Sequence, residues 1–191
     1  MRRWLFAVLT IPLLLFAGCS RSNSDEQTAL KLRGALQEAG GCRFVSEIHA
    51  DCGGRLYAFT LEYASDETGA EVLVTAPETV AGVCARVTQD GTALEFEDLA
   101  LELSMGDAAL NTPLLLPHLL AECLRSAYIA NTAETDAGTA VRYCYGYDSD
   151  RLEVEVVLDR AALVPLTCEV FWQGQVICSA EIRDFALADS T

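Results

Sequence analysis

An alternation of apolar and polar residues runs through most of the chain after residue 41 and limits what it can fold into. The segments with this two-residue period are 57–63, 72–75, 94–97, 99–104, 141–147 and 152–158. Such a period places successive side chains on opposite faces of a β-strand. Turn-forming residues separate these segments at 51–54, 65–69, 89–91, 148–150 and 173–174. The pattern predicts an antiparallel meander with one apolar and one solvated face.

A helix is predicted before the first strand, from about Asp25 to Ala39, where apolar residues recur every three or four positions. Ser24 and Gln27 are spaced as in a capping box, and Gly40-Gly41 is expected to end the helix.

A second helix is predicted from Thr112-Pro113, an N-cap residue followed by proline at the first helical position, to about Tyr128. Its apolar stripe is wider than a surface helix needs. This favours a helix laid as a lid across the concave side of a curved sheet.

The N-terminal segment has the pattern of an export leader. Arg2 and Arg3 precede an apolar run over 4–17 that is too short to span a bilayer. The run ends in Phe16-Ala17-Gly18-Cys19, which resembles the lipobox of bacterial lipoproteins, whose cysteine is acylated and becomes the mature N-terminus. The alternative interpretation of the leader is an ordinary secretory signal, in which Cys19 occurs by chance.

The lipobox resemblance implies three parts of the chain: a signal peptide at 1–18, the lipidated Cys19 with a short tether at 19–24, and a folded domain at 25–188. We expect the domain to be held by acylated Cys19 on the extracytoplasmic face of the cell membrane. The chain has 13 basic and 28 acidic residues, and loss of Arg2 and Arg3 with the leader moves the charge from −15 to −17. A surface this acidic argues against nucleic acid as a partner.

The fold class predicted is α+β. A sheet of about ten strands must curl or split, and curling around the two helices gives a strongly curved, half-open antiparallel barrel. Three stretches carry a resemblance to the LolA/LolB-like lipoprotein-localisation superfamily: 72–83, which begins Val-Leu-Val-Thr-Ala-Pro-Glu, 90–96, and the C-terminal 165–185. Within that superfamily the chain resembles uncharacterised Firmicute lipoproteins, which are related in fold to clostridial germination lipoproteins.

The resemblance implies a hydrophobic cavity between sheet and helices that holds acyl chains or an apolar peptide. Apolar side chains expected to face it are Tyr57, Phe59, Leu61, Leu116, Leu120, Tyr143, Tyr145 and Trp172. A fully packed interior is the alternative, and the sequence does not separate the two.

Seven cysteines remain after Cys19, without a Cys-x-x-Cys motif, so zinc-knuckle and thioredoxin-type sites are not supported. Apolar residues of the last hairpin all carry even numbers. A three-residue loop at 172–174 would keep them on one face and place Cys168 opposite Cys178, where a disulfide could form. Reduced thiols are the alternative.

Little in the chain predicts catalysis. His118 and Glu122 lie four residues apart on the second helix and suit either an acid–base or metal pair or a solvated helix face. Glu153 and Glu155 share a strand face, as do Glu95 and Glu97, which fits paired catalytic carboxylates or an acidic exterior. No cofactor and no metal are predicted.

Two functions remain open on the sequence. The first is a non-enzymatic, membrane-anchored lipoprotein that binds a lipid, an acyl chain or a lipoprotein segment. The second is an envelope, sporulation or germination lipoprotein with a packed interior that binds another envelope protein.

Overall fold

A computed structural model describes residues 20–51, 54–96, 99–103, 113–146 and 151–188. Helix α1 spans Ser20–Ala39, and a 3-10 turn at Pro113–Leu115 leads into helix α2, Leu116–Ser126. The strands are β1 Cys42–Asp51, β2 Leu56–Ser65, β3 Gly69–Ala76, β4 Cys84–Thr88, β5 Gly91–Phe96, β6 Leu99–Leu103, β7 Tyr128–Thr135, β8 Gly138–Tyr145, β9 Leu152–Leu158, β10 Pro165–Trp172 and β11 Gln175–Leu187.

The strands form one antiparallel sheet in the order β6-β5-β4-β3-β2-β1-β11-β10-β9-β8-β7. Two meanders therefore meet where the first strand of the chain pairs with the last, with Ile48 opposite Ala180. The expected α+β fold with a single antiparallel sheet of about ten strands is confirmed, and the described strands number eleven.

Helix α2 shows that the sheet is strongly curved. It packs against β2 and β3 on one side and against β8 on the other. In the sheet order β3 and β8 are six strand spacings apart, or about 29 Å along a flat sheet. A helix of 11 residues is only about 16 Å long, so the sheet has to bend around it. The expected half-open barrel with a helix on its concave side is confirmed.

Burial alternates along the strands as the sequence predicts. On β9 every second residue from Leu152 to Leu158 is buried, and on β1 the buried positions run from Cys42 to Ala50. We call the face that carries these residues the inner face, because α1 and α2 pack on it.

Both helices differ from the expected bounds. Helix α1 includes Ser20–Asn23, which were predicted to be tether, and Ser24 lies inside the helix, where its carbonyl accepts from Thr28 Oγ1 at 3.1 Å. Helix α2 begins at Leu116 with a proline, Pro117, in its first turn. Thr112, the expected cap, lies outside the described residues.

Strand β7 was not predicted, since the second helix was expected to run to Tyr128. The helix ends at Ser126, and Tyr128–Thr135 pairs with β8 at one edge of the sheet. Six of the eight β7 residues are exposed, and only Ile129 and Thr132 are half-buried, so burial along this strand does not alternate regularly. An edge strand with little buried area has no strong apolar period to detect.

The last hairpin also differs from the prediction. Trp172 pairs with Gln175 across a two-residue loop in which Gln173 and Gly174 both have positive φ, 51° and 78°. This is the conformation that right-twisted hairpins favour. A bulge at Ile177 then restores the even-numbered face, so that Val170 lies opposite Cys178. The shared face was predicted correctly, and the three-residue loop was wrong.

Candidate ligand-binding site

The residues expected to line a cavity divide into two groups. Leu61, Leu116, Leu120 and Tyr143 are 0–3% exposed. By contrast, Tyr57 is 41% and Trp172 46% exposed, and Phe59 and Tyr145 are half-buried. The four buried side chains fill the space between α2 and the sheet, and the other four mark a part of the inner face that stays open.

The packed group includes α2 itself. Its buried side chains are Leu116, Pro117, Leu119, Leu120, Ala121, Cys123 and Leu124. Burial raises the pKa of the Cys123 and Cys168 thiols, which keeps both protonated and unreactive. This part of the interior is a hydrophobic core.

Arg33 of α1 forms hydrogen bonds with backbone carbonyls at the C-terminal end of α2. Its Nε donates to the carbonyl of Leu124 at 3.1 Å, and Nη2 donates to Cys123 at 3.3 Å and to Ala127 at 2.6 Å. These are carbonyls of the last turn of α2, where a cation is favoured by the helix dipole. The guanidinium also lies over the ring of Tyr143, 5.9 Å from its centre.

The open group lies at one end of the inner face. Tyr57 on β2 lies opposite Ala50 on β1. The same row continues across the next two strands with Cys178 on β11 and Val170 on β10. Trp172 is two residues further along the same strand as Val170, next to the hairpin loop. The rings of Tyr57 and Phe59 stack with centroids 6.3 Å apart. We call Tyr57, Phe59, Tyr145 and Trp172 the aromatic end.

A groove of about 1010 Å³ adjoins the aromatic end at Tyr145. It lies between α1 and the first residues of β7, and we call it the α1–β7 groove. Its apolar lining includes Leu30, Ile129 and Tyr145, and its charged lining consists of Glu26, Arg33 and Arg151. Two smaller depressions, of about 400 and 360 Å³, lie on the outer face around β2, β3 and their neighbours.

Leu30 was not singled out from the sequence. This residue lies outside the apolar stripe of the first helix and is 46% exposed, so the helical period was the signal that could have identified it as an exposed apolar residue. Ile129 and Arg151 gave no such signal, because only the pairing of β7, β8 and β9 brings them together.

The paired carboxylates that the sequence offered as possible catalytic groups lie on the outer face, where they form ion pairs with arginines. Arg142 pairs with Glu155 at 2.6 Å and with Glu153 at 3.3 Å, and Arg86 lies between Glu71 and Glu95. Glu97 lies outside the described residues. These carboxylates form charge ladders across neighbouring strands.

His118 and Glu122 do not face each other as a site. Nδ1 of His118 lies 3.5 Å from Tyr63 Oη, and Glu122 pairs with Arg125 at 3.7 Å. Burial lowers the pKa of His118, so the ring is neutral at pH 7. Within the described residues no group of three or more His, Cys, Asp or Glu side chains is placed to hold a metal ion.

The expected disulfide geometry is not present. Cys168 lies opposite Ala180, and Cys178 lies opposite Val170, so the two thiols are diagonal neighbours on the same face. Diagonal positions are about 7–8 Å apart, beyond the usual Cα separation of a disulfide. Both cysteines are buried, and the predicted register, which placed Cys168 directly opposite Cys178, was wrong.

Cys19, the predicted lipidation site, lies outside the described residues. No helix in the described part of the chain is long and apolar enough to cross a membrane.

Comparison with known proteins identifies the fold. No protein-family model and no curated protein matches the sequence. A DUF1329 family protein from Desulfovibrio piger aligns with a TM-score of 0.52 at 7% identity, over 89% of this chain and 94% of its own. An uncharacterised conserved protein from Thermus thermophilus aligns with a TM-score of 0.50 at 9% identity, over 85% and 89%.

A LolA superfamily protein from Nitrosomonas europaea is a looser match, with a TM-score of 0.44 at 10% identity over 85% of this chain and 94% of its own. At such identities a structural match speaks for the fold alone, and the suggested relation to Firmicute lipoproteins stays a prediction. The chain shares its fold with the DUF1329 family protein from Desulfovibrio piger and the conserved protein from Thermus thermophilus.

Proposed function

We propose that this chain is a non-enzymatic, membrane-anchored extracytoplasmic lipoprotein that binds an apolar ligand, an acyl chain or an apolar lipoprotein segment, at the aromatic end. One observation carries the proposal. The face that forms the hydrophobic core elsewhere exposes Tyr57 and Trp172 by more than 40% each at this end.

Exposed aromatic side chains on a concave face are what an apolar ligand needs. Neighbouring aromatic rings supply a large apolar area, and their burial by a ligand is favourable. Contiguous apolar surface is uncommon on proteins that bind nothing there. A LolA/LolB-like fold is compatible with this role, although the ligand would lie beside the helix rather than beneath it.

The anchor supports the same role. Acylated Cys19 would directly precede α1, which begins at Ser20. A helical residue advances only about 1.5 Å, so the domain would lie against the membrane rather than on a flexible stalk. A binding surface held at the lipid surface meets lipids and lipoproteins at high local concentration.

Trp172 provides the direct test of ligand binding. The chain has two tryptophans, and removal of the leader takes away Trp4. In the chain that begins at residue 20, a fatty acid brominated along its chain should quench Trp172 fluorescence saturably, whereas the unbrominated acid should not. Binding of either acid without quenching of Trp172 would place the ligand elsewhere, and no binding of either would refute the proposal.

The anchor is tested separately. Full-length protein with Cys19→Ala should lose membrane association on cell fractionation, and Cys84→Ala should keep it. A processed Cys19→Ala protein that stays in the membrane fraction would refute lipidation at this residue.

The second candidate is a protein-interaction lipoprotein with a packed interior. The observation that favours it is the filled space beneath α2, where Leu120 is completely buried. The Trp172 experiment decides between the two, because this candidate predicts no saturable quenching by a fatty acid.

A further inference from the structure

We propose that the α1–β7 groove is the surface with which the anchored domain lies on the lipid bilayer, so that one flank of α1 and the first residues of β7 contact the headgroup region. This inference rests on the proposed function, from which it takes acylated Cys19, and it names the part of the domain that faces the lipid. It is drawn from the position of α1 beside the edge of the sheet.

Helix α1 runs alongside this edge. Near its start, Asp25 Oδ1 accepts a hydrogen bond from Thr139 Oγ1 at 3.1 Å, and two turns later the guanidinium of Arg33 lies 5.9 Å from the centre of the Tyr143 ring. Eight helical residues and four strand residues separate the two contacts, which is about 12 Å along the helix and about 13 Å along β8. Over this stretch α1 therefore follows β8, and it lies along β7 too because β7 pairs with β8 at the edge.

The start of α1 is held by a buried polar network. Asp25 is 7% and Thr139 0% exposed. Arg160, from the loop between β9 and β10, donates from Nε to Thr139 Oγ1 at 2.9 Å, and its Nη2 lies 3.5 Å from Asp25 Oδ1. Networks of this kind, with their polar groups paired, are rigid. Asp25 follows Cys19 by only six residues, so an acyl group on Cys19 would be tied to a helix start that the sheet holds in place.

The helical phase relates the anchor to the groove. Glu26, Leu30 and Arg33 line the groove, and their spacing of four and three residues puts them on one flank of α1. Cys19 precedes Glu26 by seven residues and Leu30 by eleven, which are close to two and three helical turns. When the phase of α1 is continued back by one residue, position 19 falls on this flank. Acyl chains that enter the bilayer from Cys19 would therefore bring the groove side of α1 to the lipid.

The side chains around the groove suit the membrane interface. Leu30 is 46% exposed on α1, and Tyr128, at the outer side of the sheet edge, is 72% exposed. Exposed tyrosine and aliphatic side chains are typical of protein surfaces at the headgroup level. The charged lining, Glu26, Arg33 and Arg151, includes both signs, so the groove lacks the uniform negative charge that anionic lipid would repel.

The test places a single tryptophan at chosen sites of the full chain in phospholipid nanodiscs. The background is Trp4→Phe with Trp172→Phe, which removes both native tryptophans. The two reporters of the groove are Tyr128→Trp and Leu30→Trp, both at exposed residues. The matched control is Leu56→Trp, at a residue 82% exposed on the outer face of β2. Emission is compared between ordinary phospholipid and phospholipid brominated in the upper part of its acyl chains.

We expect the brominated lipid to lower the emission of Tyr128→Trp and of Leu30→Trp by about twofold or more, because an indole on the docked surface lies at the headgroup level. The emission of Leu56→Trp should be nearly the same in both lipids. Two reporters from different elements keep the test informative if one substitution disturbs the fold.

Three results in protein that stays bound to the nanodiscs would overturn the inference and leave the anchor intact. Equal quenching at all three sites would mean that the domain has no preferred face. Solvent-exposed emission without quenching at both groove reporters would mean that the groove points away from the lipid. Blue-shifted emission without quenching would mean that a second copy of the chain, or another protein, covers the groove. If the protein is not retained in the nanodiscs, the anchor of the proposed function fails, and the docking surface fails with it.

Discussion

Two regions of one sheet face behave differently in this protein. Beneath α1 and α2 the inner face is a close-packed core in which Ile48, Leu120 and Val154 are fully buried. At the aromatic end the same face, with the same alternation, leaves Tyr57 and Trp172 more than 40% exposed. The difference teaches that an apolar strand position predicts the face of a residue but not what covers it.

The cause is a mismatch of lengths. Strands β1 and β2 have 10 residues each and extend about 33 Å, whereas a helix with its side chains is only about 10–12 Å across. Two helices laid on such a face cover part of each strand. The remaining part stays open unless something else packs there.

The largest effect is expected in the packed region. Leu120→Ala should lower the free energy of unfolding by about 2–5 kcal/mol, because Leu120 is 0% exposed and its removal leaves a cavity. Leu56→Ala, at a residue 82% exposed, is the control and should stay within about 0.5 kcal/mol. Chemical denaturation measures both, and a Leu120→Ala cost below about 1 kcal/mol would show that the region beneath α2 is not close-packed.

The next effect concerns the residue that holds α2 against α1. Arg33→Met should cost about 1–3 kcal/mol, since three carbonyls at the end of α2 lose a charged donor. Lys31→Met makes a similar change at an exposed position of the same helix and should be nearly neutral. Equal losses in the two variants would mean that Arg33 does not stabilise the packed region.

At the aromatic end we expect a substitution to weaken ligand binding more than it lowers stability. Trp172→Ala should cost less than about 1 kcal/mol of stability but weaken binding of a fluorescent fatty acid about tenfold, because the indole is half-exposed and faces the ligand. Val176→Ala, on the same hairpin and equally exposed at 48%, should change neither quantity. If Trp172→Ala is strongly destabilising and leaves binding intact, the aromatic end is core rather than a site.

The smallest effect is a pH dependence in the packed region. Burial lowers the pKa of His118 below its ordinary value of 6.5, with Glu122 opposing this shift and Arg125 adding to it, while Tyr63 faces the ring. The unfolded chain therefore binds more protons, and stability is lost as pH falls from 6.5 through the folded pKa. In His118→Gln the fall in stability over that interval should be shallower than in the unsubstituted protein. His49→Gln, at an exposed residue, is the control, and equal slopes in all three proteins would contradict the prediction.

Much of the fold could be predicted because its signals are local. The alternation at 152–158 identifies a strand and its buried face without any partner. Strand β7 was missed because its pairing with β8, rather than an apolar period, makes Tyr128–Thr135 a strand. In the last hairpin the even-numbered face was predictable, but the bulge at Ile177 that preserves it depends on the turn conformation at Gln173 and Gly174.

The candidate site was predicted less well than the fold. Eight apolar residues were assigned to one cavity, and the structure divides them between a packed core and an open end. Arg151 and Ile129 were not singled out, since they come together only through the pairing of three strands. Neighbours across a sheet are set by register, which a single sequence specifies weakly where one strand is exposed.

By itself, the sequence determined that there are two helices, where most of the strands lie, which face of those strands is apolar, and that so long a sheet must curve, because these follow from local periodicity and from the geometry of twisted strands. Only the tertiary structure decided where the helices lie on that face. Their position fills the space around Leu120, leaves Trp172 open, and puts Arg151 at the rim of the α1–β7 groove, because coverage depends on contacts between segments far apart in the chain.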